Sequence, residues 1–369
     1  MSVSYSKIVS QVPAMTPFVG PETIERRLGA PFRLRLGANE SAFGISPKAK
    51  AAMAAELDRA SWYCDPEHFE LRARLAAELG VAMDNLVVGE GIDGLLGTIV
   101  RAVTDPGDAI VTSAGAYPTF NYHVTGYGGR LEFVPYRADG HNDLDGLLET
   151  ARRTDAKLLY LANPDNPSGT FLGRAEIEAV LDRLPEGCLF VLDEAYAEFA
   201  PPGELPPLDG ADPRLIRLRT FSKAHGMAGL RLGYGIAAPE LIATFQKIRL
   251  HFGVGRLSQV AALASLDDPN FATKVVRQVA EGRADYEALA RHHNLAFIPS
   301  LTNFVAIDLE SAENSVRMVA LLEERGVFVR RPAVPPLDRY VRVSVGTPAD
   351  RAIFAEVFGE ALAALRAVS

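Results

Sequence analysis

The sequence predicts an α/β protein with a large domain, built on a mainly parallel seven-stranded sheet covered by helices, and a smaller α+β domain. Between about residues 84 and 250, short β-rich apolar runs alternate with segments of helical period, the pattern of a parallel sheet packed under helices. Beyond residue 258 the pattern changes to long amphipathic stretches with fewer strand-like runs. We therefore expect an N-terminal segment (1–35) that packs near the small domain, a large domain (36–255) and a small C-terminal domain (256–369).

The individual elements follow from apolar periodicity and boundary signals. Strands are expected at Asn85–Val88, Asp108–Thr112, Leu131–Pro135, Lys157–Ala162, Leu189–Asp193, Leu215–Thr220 and Leu232–Ile236. Helices are expected at Ile92–Val103, before a Pro-Gly stop, at Leu144–Arg153 and Ala175–Leu184, and at Pro239–Arg249, which has proline in its first turn. The small domain should contain helical stretches at Leu257–Leu266, Phe271–His292 and Ser315–Arg325, strand-like runs at Asn303–Leu309, Val327–Arg330 and Tyr340–Val345, and a last helix from Ala349.

Composition and charge exclude several classes of protein. The 369 residues are 48% apolar and 23% charged, which is enough for a sizeable core without a metal or disulfide. The formal charge is -8 and no stretch concentrates basic residues, so we expect neither nucleic acid nor a membrane surface as partner. The only cysteines, Cys64 and Cys188, are far apart, which argues against a zinc site and fits a reducing compartment. With no secretory pattern and no apolar run near ~18 residues, a cytoplasmic protein is expected.

A glycine-rich loop lies between the first strand of the large domain and the helix that follows it. Residues 89–94, GEGIDG, match the spacing of a dinucleotide-binding loop, but this short pattern is weak evidence alone. The next strand runs into Ala114-Gly115-Ala116-Tyr117 instead of ending in the acidic residue that would hold a ribose. We therefore interpret the loop as a helix N-terminus that offers backbone N–H groups to a single phosphate. A glycine-rich turn without a ligand remains the alternative.

The run from Thr220 to Tyr234 contains the most informative lysine. Lys223 lies at a strand end beside Ser222, in a stretch that is otherwise apolar or glycine-rich, with Arg231 eight residues later. An amine that forms a Schiff base must be desolvated and near positive charge, so that its neutral form is available. Thr220, Ser222 and Arg231 are suitable donors to a phosphate. The alternative is that Lys223 is an ordinary solvated charge.

Three further residues suggest what the lysine binds. Asp193 ends an apolar strand and is costly to bury without a charged partner, which a protonated pyridine nitrogen would supply; alternatively it caps the following turn. Tyr196 could reach a ring hydroxyl, and Asn166, in the turn 163–169, could donate to the same oxygen. Tyr117 offers a flat face for a pyridine ring, or is a core aromatic. Together these residues predict pyridoxal 5'-phosphate as the cofactor.

The order of the motifs along the chain resembles that of a known superfamily. The ordered motifs GEGIDG (89–94), AYPTF (116–120), NPDNPSG (163–169), DEAYAEF (193–199), TFSKAHGMAGLRLGY (220–234) and YVRVSVGT (340–347) resemble the aspartate-aminotransferase superfamily of fold type I, and most closely the histidinol-phosphate aminotransferases. The resemblance extends from Leu36 to the C-terminal helix. It implies that Lys223 is the Schiff-base lysine, that Asp193 pairs with the pyridine nitrogen, and that Tyr196 and Asn166 contact the ring hydroxyl. By the same resemblance Tyr117 stacks on the ring, and the phosphate is held by Gly91, Ile92, Asp93, Thr220, Ser222 and Arg231.

The resemblance also implies a reaction, substrate contacts and a homodimer. The expected reaction is a ping-pong transamination between histidinol phosphate and 2-oxoglutarate, in which Arg342 binds the anionic group of the substrate. The remaining candidate substrate contacts are Asn39, Arg330 as a second cation, and Phe18. In similar enzymes the tyrosine that matches Tyr63 reaches the cofactor phosphate of the partner subunit, so that each active site needs both chains.

Two departures from the family pattern leave the amino donor open. Phe18 replaces a tyrosine that the family usually has, and residues 251–256, HFGVGR, replace a stretch similar to PYNVN. Phe18 lacks the hydroxyl that its usual counterpart offers a phosphate, and Arg256 could compensate if it points into the site. An apolar wall of Phe18, Tyr122 and Phe252 would accept an imidazole or a phenyl ring, so an aromatic amino acid is the alternative donor.

Two other functions remain as alternatives to transamination. Similar sequences decarboxylate a phosphorylated amino acid on the same fold, a reaction that needs no keto acid and releases carbon dioxide. Others are regulatory modules that bind the cofactor and carry an additional N-terminal DNA-binding domain, whereas only a short segment precedes Asn39 here.

Overall fold

The computed structural model describes residues 3–12 and 18–367. The helices in these residues are α1 (Lys7–Gln11), α2 (Pro21–Leu28), α3 (Pro47–Glu56), α4 (Phe69–Leu79), α5 (Gly91–Val103), α6 (Pro118–Gly126), α7 (Leu144–Thr154), α8 (Arg174–Arg183), α9 (Pro239–Gln246), α10 (Arg256–Leu266), α11 (Pro269–His292), α12 (Ala312–Glu324) and α13 (Pro348–Arg366). The strands are β1 (Leu34–Arg35), β2 (Leu86–Gly89), β3 (Ala109–Ser113), β4 (Arg130–Val134), β5 (Leu158–Ala162), β6 (Leu189–Asp193), β7 (Leu215–Thr220), β8 (Gly233–Ala237), β9 (Phe297–Ile298), β10 (Phe304–Asp308), β11 (Val327–Phe328) and β12 (Tyr340–Ser344).

The predicted fold class is confirmed by the central sheet. Its seven strands have the order β2-β8-β7-β6-β5-β3-β4. The strands β4, β3, β5, β6 and β7 pair in parallel, and β8 is antiparallel to both of its neighbours. Each predicted strand of this sheet is found within one residue of its expected ends. The prediction succeeded because strands covered on both faces are continuous apolar runs that turn signals separate clearly.

Helices cover both faces of this sheet and bury its strands. Apolar residues of α5, α6 and α9 pack against one face, where Leu158, Tyr160 and Val191 lie. Apolar residues of α7 and α8 pack against the other face, which contains Leu159 and Phe190. The strands β3, β5 and β6 are buried along their whole length for this reason. A rigid, two-sided core therefore supports the ends of these strands.

A second core lies in the C-terminal part of the chain. There β12, β10 and β9 form an antiparallel sheet, and α11, α12 and α13 contribute buried residues to the same core. Strand β1 pairs in parallel with β11, so residues 34 and 35 pack beside this C-terminal unit. The domain limits at residues 35 and 255 stay a prediction, and residues 1, 2 and 13–17 of the N-terminal segment lie outside the described residues.

Some elements differ from the sequence prediction. Helix α6 was not predicted, because its sequence is rich in aromatic and β-branched residues that have no helical preference. Strand β11 ends at Phe328 instead of Arg330, and Arg330 forms an isolated antiparallel bridge with Arg342.

Within the described ranges, none of the helices combines the length and the apolar character that crossing a bilayer requires.

Candidate active site

The predicted site residues converge at one edge of the central sheet. Asp193 is the last residue of β6 and Thr220 the last of β7, while Tyr117 and Asn166 follow β3 and β5. The loop after β2 begins α5 at the same edge, and Arg231 lies just before β8, which runs in the opposite direction. Ligand sites of open α/β sheets lie at the carboxyl ends of the parallel strands. The topology thus brings together residues that are up to about 140 positions apart in the sequence.

Lys223 is half-buried at the centre of this edge. Its Nζ donates a hydrogen bond to the carbonyl oxygen of Asn39 at 3.0 Å and lies 5.6 Å from the centre of the Tyr196 ring. Burial lowers the pKa of the amine from 10.5 to about 8, and the positive charge of Arg342 acts in the same direction. A lysine with this environment has an appreciable neutral fraction near neutral pH, which is what attack on an aldehyde requires. Lys223 is therefore not a solvated surface charge.

Asp193 is a buried carboxylate that has no ion-pair partner among the described residues. Its Oδ2 accepts a hydrogen bond from the Tyr160 hydroxyl at 2.8 Å, and its Oδ1 accepts one from the backbone N–H of Ala195 at 3.0 Å. Burial raises the pKa of the carboxyl to about 6, and these two hydrogen bonds oppose that shift. Since both donors are neutral, a cation such as a protonated pyridine nitrogen fits this carboxylate.

The N-terminus of α5 and the loop before β8 form a cradle for an anion. The Glu90 side chain does not cap α5, so the N–H groups of its first turn remain open to a ligand. Gly91 has a φ of +71°, and a Cβ added there would lie 2.7 Å from Nη2 of Arg231. Arg231 is itself held in the left-handed region, with a φ of +50°, and forms an ion pair with Asp93 at 3.0 Å. Non-glycine residues in this region cluster at functional sites.

Two hydroxyl groups lie next to this cradle. Thr220 and Ser222 are buried, and their hydroxyl oxygens are 2.9 Å apart. A Cβ added to Gly233 would lie 2.9 Å from the backbone of Gly91 and Ile92, so the start of β8 closely approaches the start of α5. Open helical N–H groups, two hydroxyls and a guanidinium are together the donors expected for a phosphate. The residues present therefore fit the phosphate of the expected cofactor.

The residues expected to face the ring are also in place. The Tyr117 hydroxyl donates to Asp93 at 2.8 Å, which fixes the orientation of its ring. The Tyr196 hydroxyl accepts a hydrogen bond from the Asn39 side chain at 2.9 Å, and burial raises its pKa to about 12, so it remains protonated at neutral pH. Asn166 uses its Oδ1 to accept from Arg342, which leaves its amide N–H groups as donors.

Two guanidinium groups lie side by side at the predicted substrate end. Arg330 and Arg342 are bridge partners, and the Nε of each is buried without a hydrogen-bond partner among the described residues. Burial, together with the charge of Arg330, lowers the pKa of Arg342 to about 10, and burial also lowers the pKa of Arg330. Neither residue is thus a freely solvated surface charge. Two adjacent, half-buried guanidinium groups, each with an Nε that is unpartnered in the described part of the chain, are suited to binding an anion.

The remaining predicted residues occupy two different places. The Phe18 ring lies 4.9 Å from the Arg330 guanidinium and 6.2 Å from the Tyr117 ring, at the substrate end. Tyr63 is 81% exposed, and its ring packs 4.8 Å from that of Phe252. Phe252 thus packs with Tyr63, and both side chains are exposed.

Arg256 is already engaged within its own chain. Its guanidinium forms an ion pair with Glu56 at 3.1 Å and donates to the backbone oxygen of Tyr63 at 2.5 Å. Within the chain, these contacts leave the Arg256 guanidinium paired with Glu56 and Tyr63. Its contact with Tyr63 fixes the backbone of that residue.

In the described residues no group of three or more His, Cys, Asp and Glu side chains has the arrangement of a metal site.

Comparison with known proteins agrees with this geometry. A family model for class I and II aminotransferases matches residues 33–358. The chain belongs to this aminotransferase family. It is 38% identical over 339 residues to histidinol-phosphate aminotransferase 2 of Carboxydothermus hydrogenoformans, covering 90% of this chain and 92% of the relative. It is 39% identical to the histidinol-phosphate aminotransferase of Roseiflexus castenholzii, covering 94% of both chains.

A solved structure is similar over the whole aminotransferase chain. The crystal structure of histidinol-phosphate aminotransferase from Sinorhizobium meliloti in complex with pyridoxal-5'-phosphate has a TM-score of 0.95 and 42% sequence identity. The match covers 100% of this chain and 99% of that chain. The similarity therefore includes both the central sheet and the C-terminal unit.

Three residues of the aminotransferase site were missed in the sequence. Asn303 donates to the carbonyl of Asn39 at 3.0 Å, and the Ser344 hydroxyl donates to the Asn39 side chain at 3.2 Å. The first bond holds the carbonyl that accepts from Lys223, and the second holds the Asn39 side chain. Tyr160 contacts Asp193 from inside β5. It is the one polar-tipped side chain in the apolar run LLYLA, a signal that could have identified it.

Proposed function

We propose that this aminotransferase uses pyridoxal 5'-phosphate to exchange an amino group between histidinol phosphate and 2-oxoglutarate. The observation that carries the proposal is the pair of half-buried arginines, Arg330 and Arg342, at the same sheet edge as Lys223 and Asp193. A half-buried amine and a buried carboxylate without an ion-pair partner in the described ranges match the two ends of the cofactor ring, and two adjacent guanidiniums match an anionic substrate. The names of the similar proteins point to the same substrate.

The cofactor would be held by the residues whose donors and charges fit it. Lys223 would hold it covalently, Asp193 would pair with the ring nitrogen, and Tyr196 and Asn166 would donate to the ring hydroxyl. Tyr117 would stack on the ring. The phosphate would lie at the start of α5, against Gly91, Ile92, Asp93, Thr220, Ser222 and Arg231. When bound, pyridoxal phosphate supplies an aldehyde that exchanges amines and a protonated ring that accepts negative charge.

Lys223 has two tasks in this proposal. Its Nζ gives way to the amine of the incoming substrate and then takes up the proton from the carbon that carries that amine. The second task needs the neutral amine, which burial and the charge of Arg342 favour. Asn39 holds Nζ by its carbonyl oxygen in the meantime, and Asn303 holds that carbonyl. The backbone around Asn39 is therefore part of the machinery that positions the base.

The two arginines would allow one site to bind two different substrates. A guanidinium binds a carboxylate or a phosphate with the same planar set of donors. Arg342 would bind the phosphate of histidinol phosphate in one half-reaction and a carboxylate of 2-oxoglutarate in the other. Arg330 would add a second charge for the dianion, with Phe18 against its guanidinium. Asn39 remains a proposed substrate contact through its side chain.

A homodimer with shared active sites is part of the proposal. The segments 57–69 and 250–256 are joined by the contacts of Tyr63 with Phe252 and Arg256, and their large side chains Leu57, Trp62, Tyr63, Phe69, Leu250 and Phe252 are exposed. Exposed apolar side chains concentrated in this way mark protein interfaces. Tyr63 would reach the cofactor phosphate of the second chain.

Both cysteines are buried and unpaired, which supports the cytoplasm as the location.

A comparison of amino donors tests the proposed substrate. We expect kcat/KM with 2-oxoglutarate to be more than about tenfold higher for histidinol phosphate than for phenylalanine, tyrosine or histidine, a difference above ~1.4 kcal/mol. Arg330→Met should reduce this preference, because the phosphate loses its second cation. Arg331→Met is the matched control, since the Arg331 side chain bonds to the backbone of Pro332 and Asp338. A preference below tenfold would favour the aromatic amino acid as the donor.

A further inference from the structure

Tyr160 contacts Asp193 from within the sheet. The register of β5 and β6 places Ala162 opposite Asp193 and Tyr160 opposite Val191. Because side chains alternate between the faces of a strand, Tyr160 and Asp193 are diagonal neighbours on one face. The Tyr160 hydroxyl donates to Oδ2 of Asp193 at 2.8 Å. Its ring is fully buried and stacks on Phe120, with 4.3 Å between ring centres and 16° between ring planes. This packing fixes the direction of the hydroxyl.

The bond from Tyr160 is one of two that define the state of the Asp193 carboxylate. Oδ1 accepts from the backbone N–H of Ala195, so both oxygens are held and the plane of the carboxylate is fixed. Burial alone favours the protonated acid. Hydrogen bonds to the charged form oppose this effect, and the bond from Tyr160 is the largest of the contributions that lower the pKa of Asp193, ahead of the Ala195 N–H and the charge of Lys223. The ring nitrogen of the cofactor needs an ionised partner, so this contribution bears on the chemistry.

We propose that Tyr160 is a positioning residue for transamination, whose hydroxyl keeps Asp193 ionised and oriented toward the ring nitrogen of the cofactor. This inference rests on the proposed function. It assigns the role to the hydroxyl and not to the aromatic ring, which packs on Phe120 with or without the oxygen. A merely structural tyrosine would instead be replaceable by phenylalanine with no effect on the titration of Asp193.

The chain offers a matched control for the loss of such a bond. Tyr136 is also buried, and its hydroxyl donates to the buried carboxylate of Asp165 at 3.0 Å. Asp165 retains other donors, namely the backbone N–H and hydroxyl of Ser168 and the side chain of Asn142. Tyr136→Phe therefore removes a hydrogen bond of the same chemical kind from a different carboxylate. A general effect of losing a buried phenol would appear in both variants.

The first test uses the protein without cofactor. The Asp193 carboxyl is titrated by 13C NMR on aspartate-labelled protein, with Asp193→Asn to assign the signal. Tyr160→Phe should raise the pKa of Asp193 by about one pH unit, whereas Tyr136→Phe should leave it unchanged. Replacing Tyr160 by 3-fluorotyrosine, a more acidic donor, should lower it. An Asp193 titration that is the same in wild type and in both position-160 variants would overturn the inference.

The second test uses the enzyme with cofactor and histidinol phosphate. Tyr160→Phe should lower kcat severalfold with little change in KM. In the profile of kcat against pH, the acid limb, where activity falls at low pH, should move to higher pH by the same amount as the pKa of Asp193. The limb should not move in Tyr136→Phe. An unmoved limb in Tyr160→Phe would contradict the positioning role. Absence of transamination by the wild-type enzyme would instead contradict the proposed function, and the two failures are therefore distinguishable.

Discussion

Burial changes the chemistry of the two charged residues at the centre of the site in opposite directions. It lowers the pKa of Lys223 to about 8 and raises that of Asp193 to about 6, because burial disfavours whichever form is charged. A lowering from 10.5 to about 8 increases the neutral fraction of an amine at pH 7 by roughly 300-fold. The same desolvation makes the carboxylate dependent on its hydrogen bonds and on a cationic ligand. Folding thus prepares both residues before any ligand binds.

The lowered pKa of Lys223 predicts how the rate of cofactor attachment depends on pH. In protein freed of cofactor, the rate of attachment should rise with pH as the amine loses its proton and should level off above about pH 8, since only the neutral amine attacks the aldehyde. Stopped-flow absorbance over a range of pH measures this rate. The Lys223→Ala variant should lack the absorbance change that accompanies covalent attachment. A midpoint near the ordinary lysine value of 10.5 would contradict the described environment.

Asp193→Asn should reduce kcat by far more than its small change in size suggests. The amide cannot carry the negative charge that stabilises a protonated ring nitrogen. Cofactor binding should largely persist, because Lys223 and the donors at the start of α5 remain. Steady-state kinetics with a parallel measurement of bound cofactor separates the two effects. Turnover within about tenfold of wild type, a barrier change of only ~1.4 kcal/mol, would show that Asp193 does not have this role.

Single residues differ in how well the sequence could predict them. Lys223 and Asp193 were predicted because each is a charged residue at the end of an apolar strand. Tyr160 was missed, because a tyrosine inside such a strand is usually a core residue. For Arg342 the alternation in YVRVS places it opposite to Val341 and Val343 but does not show whether its own face is covered. The burial of that face depends on residues far away in the sequence.

At the scale of elements, the anion cradle depends on how closely α5, β8 and the Arg231 loop approach one another. Gly91 and Gly233 both lack the room for a Cβ, so these contacts cannot form with larger residues unless the neighbours move. The strands and α5 were predictable from local periodicity. Helix α6 was not, because contacts with its neighbours, including the packing of Phe120 and Val124 in the core of the sheet, stabilise it against its sequence preference.

Gly91→Ala should weaken the binding of cofactor phosphate. The new methyl group would lie 2.7 Å from the Arg231 guanidinium, which must then move. Gly80→Ala is the matched control, because Gly80 has the same φ of +71° and open space around its Cβ position. Both variants should lose about 1–2 kcal/mol of stability from backbone strain, but only Gly91→Ala should raise the dissociation constant of pyridoxal phosphate. An equal effect of both variants on this constant would show that the cradle is not the phosphate site.

At the scale of the whole molecule, Lys223 is close to Tyr196, which follows β6 of the central sheet, and is influenced by Arg342 of the C-terminal unit, while Tyr63 lies on an exposed surface. The central sheet could be predicted because its strands are local features of the sequence. The position of Tyr63 relative to a second active site could not, since it depends on contacts between chains. The contacts within the chain show only how Tyr63 is held, with Arg256 on its backbone and Phe252 on its ring.

A hybrid dimer tests whether the active sites are shared. We expect a homodimer in solution, in which Tyr63→Ala weakens cofactor binding and Lys223→Ala abolishes covalent attachment. In a hybrid of one Tyr63→Ala chain and one Lys223→Ala chain, one site would combine an intact lysine with an intact Tyr63 from the other chain. Half of the sites should therefore regain tight covalent binding, as measured by absorbance of purified hybrids. Binding as weak as in the Tyr63→Ala homodimer would mean that Tyr63 acts within its own chain or not at all.

A single-turnover experiment addresses the central claim that this enzyme is an aminotransferase for histidinol phosphate. The protein loaded with cofactor is mixed with excess histidinol phosphate in the absence of any keto acid. We predict that each active site forms one equivalent of carbonyl product and then stops, and that 2-oxoglutarate restarts turnover while glutamate accumulates. Continuous turnover without a keto acid, release of carbon dioxide, or no product from histidinol phosphate would contradict the claim.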